Sequence, residues 1–179
     1  MSAIGAPSRV FYKSEDKMKI HSPNAHRKAA SLKSDYFFNY FQMGLDVLLD
    51  ARTNTVKKFI LHTNFPGHYN FNRYHRAEFN LELEVEKSSI NQMIPSPVNI
   101  TPLTRWESVA DKLKPCERPV VLNRASSTNT TNPFGSTFCY GYQDIIFEVM
   151  PNGHLASVTL YLPQGMSPPS VGEEDVLKL

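Results

Sequence analysis

The sequence predicts an α+β fold, built mainly of antiparallel sheet in long hairpins with one helix packed on a sheet face. Three observations carry that expectation. Phe79–Glu86 (FNLELEVE) alternates apolar and polar residues, the period-2 signature of a strand with one dry and one wet face. Asn152-Gly153 separates two apolar runs, and Asn-Gly is the strongest short hairpin signal. Only one stretch, Arg105–Lys114, has an apolar stripe at i, i+3, i+4 and i+7, formed by Trp106, Val109, Ala110 and Leu113.

In chain order, Arg9–Lys13 (RVFYK) reads as a first short strand, because β-branched and aromatic residues favour the pleat. Ser22–Ser34 is polar and basic with Pro23 near its start, and reads as an exposed loop. Tyr36–Asp50 reads as one long strand in which Gly44 marks a bulge or kink. Ala51–Asn54 is a turn, and Thr55–His62 returns as the second arm of a hairpin that Asn64-Phe65-Pro66-Gly67 closes. Asn91–Pro102 holds Pro95, Pro97 and Pro102 and reads as a loop. Thr104 with Glu107 forms a capping box for the helix, and Pro115 stops it. Pro119–Asn123 is a short strand, and Thr137–Met150 with His154–Leu162 makes the second hairpin.

The two hairpins resemble each other: each runs aromatic, Gly, Asp, apolar, and ends in an acid. A short strand after a proline precedes each, but the helix precedes only the second copy. This weak internal repeat of helix–strand–hairpin units implies a chain that starts inside a unit. The organisation expected is therefore the end of a truncated preceding unit at 1–21, a loop at 22–34 and the first hairpin with its following strand at 35–103. A helix–strand–hairpin unit at 104–162 and a disordered tail at 163–179 complete it.

Composition bounds the function classes. At 179 residues the chain suits one domain or one and a half, and buries about 70% of its unfolded surface. Hydrophobic residues make up 41% and charged residues 20%, too apolar for a disordered chain. The longest uncharged apolar stretch is far below the roughly 20 residues that span a bilayer. Lys+Arg 19 against Asp+Glu 17 leaves a net charge of +2, which is no nucleic-acid signature. Two cysteines and the lack of a signal peptide argue for a reducing compartment.

Candidate chemistry is sparse. His62, His68 and His75 are spaced too widely for a structural zinc site, and no Cys lies near. Cys116 follows a helix C-terminus, the wrong end of the dipole for a thiolate, and Cys139 sits among strand aromatics as a small hydrophobe. A cysteine-dependent hydrolase using either with a loop histidine is thus the weaker rival. Ser126–Asn132 lacks the glycines and lysine of a phosphate-cradling loop and reads as a connection or a contact loop. Basic residues form clusters that include Lys17, Lys19, Arg27, Lys28, Lys57 and Lys58, a candidate contact for an anionic membrane surface or simply solvated faces. Loop aromatics beside Arg and Asn have the composition of a protein interface, which nominates Tyr69, Phe71, Arg73, Tyr74 and Phe134 as partner contacts.

Long stretches at Tyr36–Phe79 (YFFNYFQMGLDVLLDARTNTVKKFILHTNFPGHYNFNRYHRAEF) and Asn132–Leu160 (NPFGSTFCYGYQDIIFEVMPNGHLASVTL), together with the opening GAPSRVFYKSEDKMKIHSP, resemble the phagosome assembly factor 1 family. The resemblance covers about Ile4–Leu162, and the chain looks like the family's C-terminal portion. It implies a cytoplasmic, non-enzymatic adaptor in autophagy, recruited to the phagophore during autophagosome assembly. The partner it implies is a β-propeller protein of the breast-carcinoma-amplified-sequence type, with peripheral contact to the autophagic membrane. It implies no catalytic residue, cofactor or nucleic acid.

Overall fold

The computed structural model describes residues 3–13, 34–85, 97–113, 118–123 and 134–163. Its frame is one antiparallel sheet of eight strands in the order β1-β2-β3-β4-β10-β9-β8-β7. The strands are β1 (Arg9–Tyr12), β2 (Tyr36–Tyr40), β3 (Leu45–Leu49), β4 (Val56–His62), β7 (Val120–Leu122), β8 (Thr137–Tyr142), β9 (Ile145–Val149) and β10 (Leu155–Tyr161). Two more, β5 (Leu81–Leu83) and β6 (Val98–Ile100), form a separate antiparallel ribbon. The described residues are thus mostly antiparallel sheet, with little helix. The expected loop at 22–34 and the tail at 163–179 lie outside the described residues but for Ser34 and Pro163.

Both long strands expected from the sequence fold back on themselves. Gly44 is a chain reversal, not a bulge: Phe41–Met43 makes a 3-10 turn and Gly44 closes it in the left-handed region at φ 63°. Tyr40 then pairs with Leu45, turning one strand into a hairpin. In the second expected strand, Gln143 takes φ 50° and Tyr142 pairs directly with Ile145. The apolar run hides both reversals, because a short turn flanked by strand-formers barely interrupts the pattern. The expected turns at 51–54 and 151–153 are present. Asp50 Oδ1 accepts the Arg52 and Thr53 N–H groups, and Lys57 Nζ bridges Asp35 and Asp50 at 2.8 Å each.

Register separates two faces. On one, Phe38, Val47, Phe59, Leu160 and Ile145 run edge to edge across five strands as direct neighbours. This apolar face is covered, at the β8–β10 half, by the ribbon and the helical segment. Trp106, Val109 and Leu113 are buried there against Phe147, Val149, Leu155 and Val158, with Trp106 stacked on Tyr140 at 4.6 Å. The stripe read from the sequence is therefore the packing stripe. The segment is not one helix, however, but a 3-10 turn at Trp106–Ser108 followed by α1 (Ala110–Leu113). Nor does Thr104 cap it. Arg105 is held extended by a bridge to His154, so the turn starts a residue later, and the Thr104 hydroxyl accepts the Thr101 N–H instead. The proline-rich stretch 91–102 contains β6 after all: Pro97 and Pro102 flank it, so no ladder hydrogen bond is lost. Of the alternating run, Leu81–Leu83 is the part paired among the described residues 79–85.

Gly44 bears on more than its own turn. A Cβ built there lies 2.3 Å from the His75 carbonyl oxygen and 2.6 Å from the Ala77 nitrogen, where the returning chain crosses. Gly44→Ala combines that backbone clash with a left-handed φ costing about 1–2 kcal/mol. We expect it to lower the unfolding free energy by about 2 kcal/mol or more in urea titration, whereas Gly67→Ala, with open space around the site, costs only the backbone term.

Candidate functional site

The second face of the sheet is polar, and the segment 63–77 folds back over it. Two carboxylates hold that segment down. Asp46 on β3 is buried and receives the Tyr74 hydroxyl at 2.9 Å and 3.0 Å from its two oxygens, Asn39 Nδ2 at 2.6 Å, and His62 Nε2 at 2.9 Å. Tyr74 also stacks on the His62 ring at 3.8 Å. Burial, reinforced by the Asp46 charge, pushes the Tyr74 phenol well above its ordinary range, so it stays a donor.

Glu148 on β9 is the second anchor. Ser157 Oγ and Thr137 Oγ1 each donate to it at 2.8 Å, and His68 Nε2 lies 3.3 Å away. The Asn70 N–H is directed at His68 Nδ1, which makes Nδ1 the acceptor and Nε2 the proton-bearing atom facing Glu148. Burial raises the Glu148 carboxyl, but the hydrogen bonds from His68, Ser157 and Thr137 outweigh it and bring it from 4.5 down to about 2. Thr63, fully buried, directs its hydroxyl at the Leu155 and Ala156 carbonyls, where the β9–β10 register shifts.

His62 and His68 serve different carboxylates and His75 is exposed, so the three do not converge. Among the described residues no group of His, Cys, Asp and Glu could hold a metal ion, and no helix is long and apolar enough to cross a membrane. Cys139 lies half-buried in β8, and Cys116 lies outside the described residues.

The nominated partner aromatics divide. Tyr74 is buried, 6% exposed, and belongs to the core of the site, which corrects its reading as a surface contact. Tyr69, Phe71 and Phe134 are exposed. Tyr69 and Phe134, distant in sequence, line one small niche with Leu122. Arg73 is exposed on a groove described below. Of the nominated basic residues, Lys17, Lys19, Arg27 and Lys28 lie outside the described residues, as does most of Ser126–Phe134. Lys57 is tied to two aspartates, holding both carboxyls below their usual range, and Lys58 Nζ sits 5.1 Å over the Tyr161 ring. Sequence reasoning missed Asp46, Glu148, Asn39 and Ser157. The available signal was an acid inside each apolar strand, on the face the alternation leaves wet.

A family model for phagosome assembly factor 1 matches residues 1–161. The chain belongs to that family. It is 61% identical over 168 residues to a PHAF1 protein of Drosophila melanogaster, covering 89% of this chain and 38% of the relative. It is 43% identical over 158 residues to a PHAF1 protein of Arabidopsis thaliana, covering 88% of the chain and 37% of that relative. A PHAF1 protein of Caenorhabditis elegans is 42% identical over 167 residues, again 89% of the chain and 35% of the relative. The chain thus spans less than two fifths of the length of these family members. No solved structure matches it. The family's name assigns its members to phagosome assembly.

Two outcomes test the anchors. The Glu148 carboxyl is depressed on folding, so its contribution is complete above about pH 4.5 and is lost as the pH falls towards about 2. Glu148→Gln should flatten the acid limb of stability against pH in that window, by about 3 kcal/mol at one pKa unit per ~1.4 kcal/mol. Tyr74→Phe keeps the ring and removes a donor to buried Asp46. It should cost about 1–3 kcal/mol in chemical denaturation.

Proposed function

We propose that this family member acts as a non-enzymatic adaptor or scaffold in phagophore and autophagosome assembly, through binding of a protein partner. Family membership carries the reading. It is supported by a polar site whose buried histidines and carboxylates are spent on holding segment 63–77. It is supported also by exposed aromatics at Tyr69, Phe71 and Phe134, a composition suited to interface anchors. The partner is a β-propeller protein of the breast-carcinoma-amplified-sequence type, and the adaptor works in the cytoplasm at the phagophore.

Capture of the purified β-propeller protein on the immobilised chain tests this. The wild-type chain should retain it. Tyr69→Ser with Phe71→Ser should weaken capture more than tenfold, since each aromatic anchor can contribute about 2 kcal/mol, and should leave the thermal midpoint nearly unchanged. Tyr74→Ser should instead lower the midpoint, as the buried ring is structural. A wild-type chain that retains no β-propeller protein would overturn the adaptor reading.

A further inference from the structure

The polar face carries a groove of about 830 Å³ beside the 63–77 segment. Three cations line it: Arg9 on β1, Lys58 on β4 and Arg73 in the crossing segment. None forms an ion pair among the described residues. Arg9 lies 5.5 Å over the Phe11 ring and Lys58 lies over Tyr161, so aromatic faces, not carboxylates, support both charges. The groove's two carboxylates, Asp46 and Glu148, are buried with their oxygens turned to protein donors. What a ligand meets from outside is therefore cationic and aromatic.

The spacing of the cations describes the ligand. β1 and β4 are three strand intervals apart, about 14 Å in the plane of the sheet. With their head groups resting over Phe11 and Tyr161, Arg9 and Lys58 sit at separate points of the groove, and they suit charges spread along an extended chain. Between them the face offers Phe37 and Ile60, which accept apolar side chains. Three cations are also fewer than the roughly 6–10 phosphate contacts of a nucleic-acid surface. We propose that this groove docks an acidic segment of a partner polypeptide, with its carboxylates on Arg9, Lys58 and Arg73 and its apolar residues against the floor. This deepens the adaptor reading and rests on it.

The test uses the whole chain and a fluorescein-labelled peptide of Asp and Glu interspersed with Leu and Phe, followed by anisotropy. Saturable binding should weaken steeply as salt rises. Arg9→Gln, Lys58→Gln and Arg73→Gln together should weaken it roughly tenfold or more, while Arg52→Gln, Lys112→Gln and Arg118→Gln together, the same charge loss on exposed positions off the groove, should not. Thermal unfolding is recorded for both triples. If the groove triple fails to fold, hydrogen exchange of the wild-type chain decides: protection by the peptide should fall on β4 and 63–77. Protection elsewhere, equal loss in both triples, or no saturable binding overturns the proposal. So does binding of phosphatidylserine vesicles or a single-stranded oligonucleotide at the groove in place of the peptide. A chain that captures the β-propeller protein but ignores the peptide overturns the groove alone. One that binds the peptide but not the β-propeller protein overturns the adaptor reading alone.

Discussion

Two buried carboxylates organise one face of this protein. A carboxylate withdrawn from water is costly unless donors replace the water it loses. Asp46 and Glu148 each draw several donors, and those donors come from places the chain must bring together. Tyr74 and His68 reach them from the crossing segment, Asn39 and Ser157 from neighbouring strands, and Thr137 from β8. Satisfying both acids therefore fixes where the segment 63–77 lies. Without it the polar face would have no wall, and the groove no rim.

The pairing of β4 with β10 is the other constraint. It joins two four-stranded halves, each ordered outward to a short edge strand, into a single sheet. His62 faces Ser157 across that seam, so the two polar clusters sit side by side instead of at separate ends. The opposite face uses the same seam differently. Leu61 meets Val158 there, and the apolar row continues under Trp106 and Leu113. One register thus decides both which side is dry and which side carries the polar clusters.

Much of this architecture is legible in the sequence. Strands β1, β4, β7 and β10, the turns at 51–54 and 151–153, and the Trp106–Leu113 stripe all follow from local pattern. The differences have two causes. Gly44 and Gln143 reverse the chain inside runs that local propensity reads as unbroken. Arg105 is pulled into a bridge that shortens its helix, and β6 gains pairing only because β5 lies beside it. The two reversals are short turns masked by strand-formers on either side, whereas the last two are tertiary partners overriding a local preference.

The site was half legible for the same reason. The sequence alone determined the family, since long motifs carry that information without any fold. It also determined the alternation that separates a wet from a dry face, because side chains in a strand must point to opposite sides. What only the tertiary structure decided is which polar residues are used up inside. Tyr74 and Tyr69 stand in one loop and look alike in sequence, yet one lies 28 residues from the aspartate it holds and is buried, while the other is exposed. Lys57 and Lys58 are adjacent, yet strand alternation sends one to an aspartate pair and the other into the groove. Burial and charge pairing are properties of neighbours brought from elsewhere in the chain, and no local window contains them.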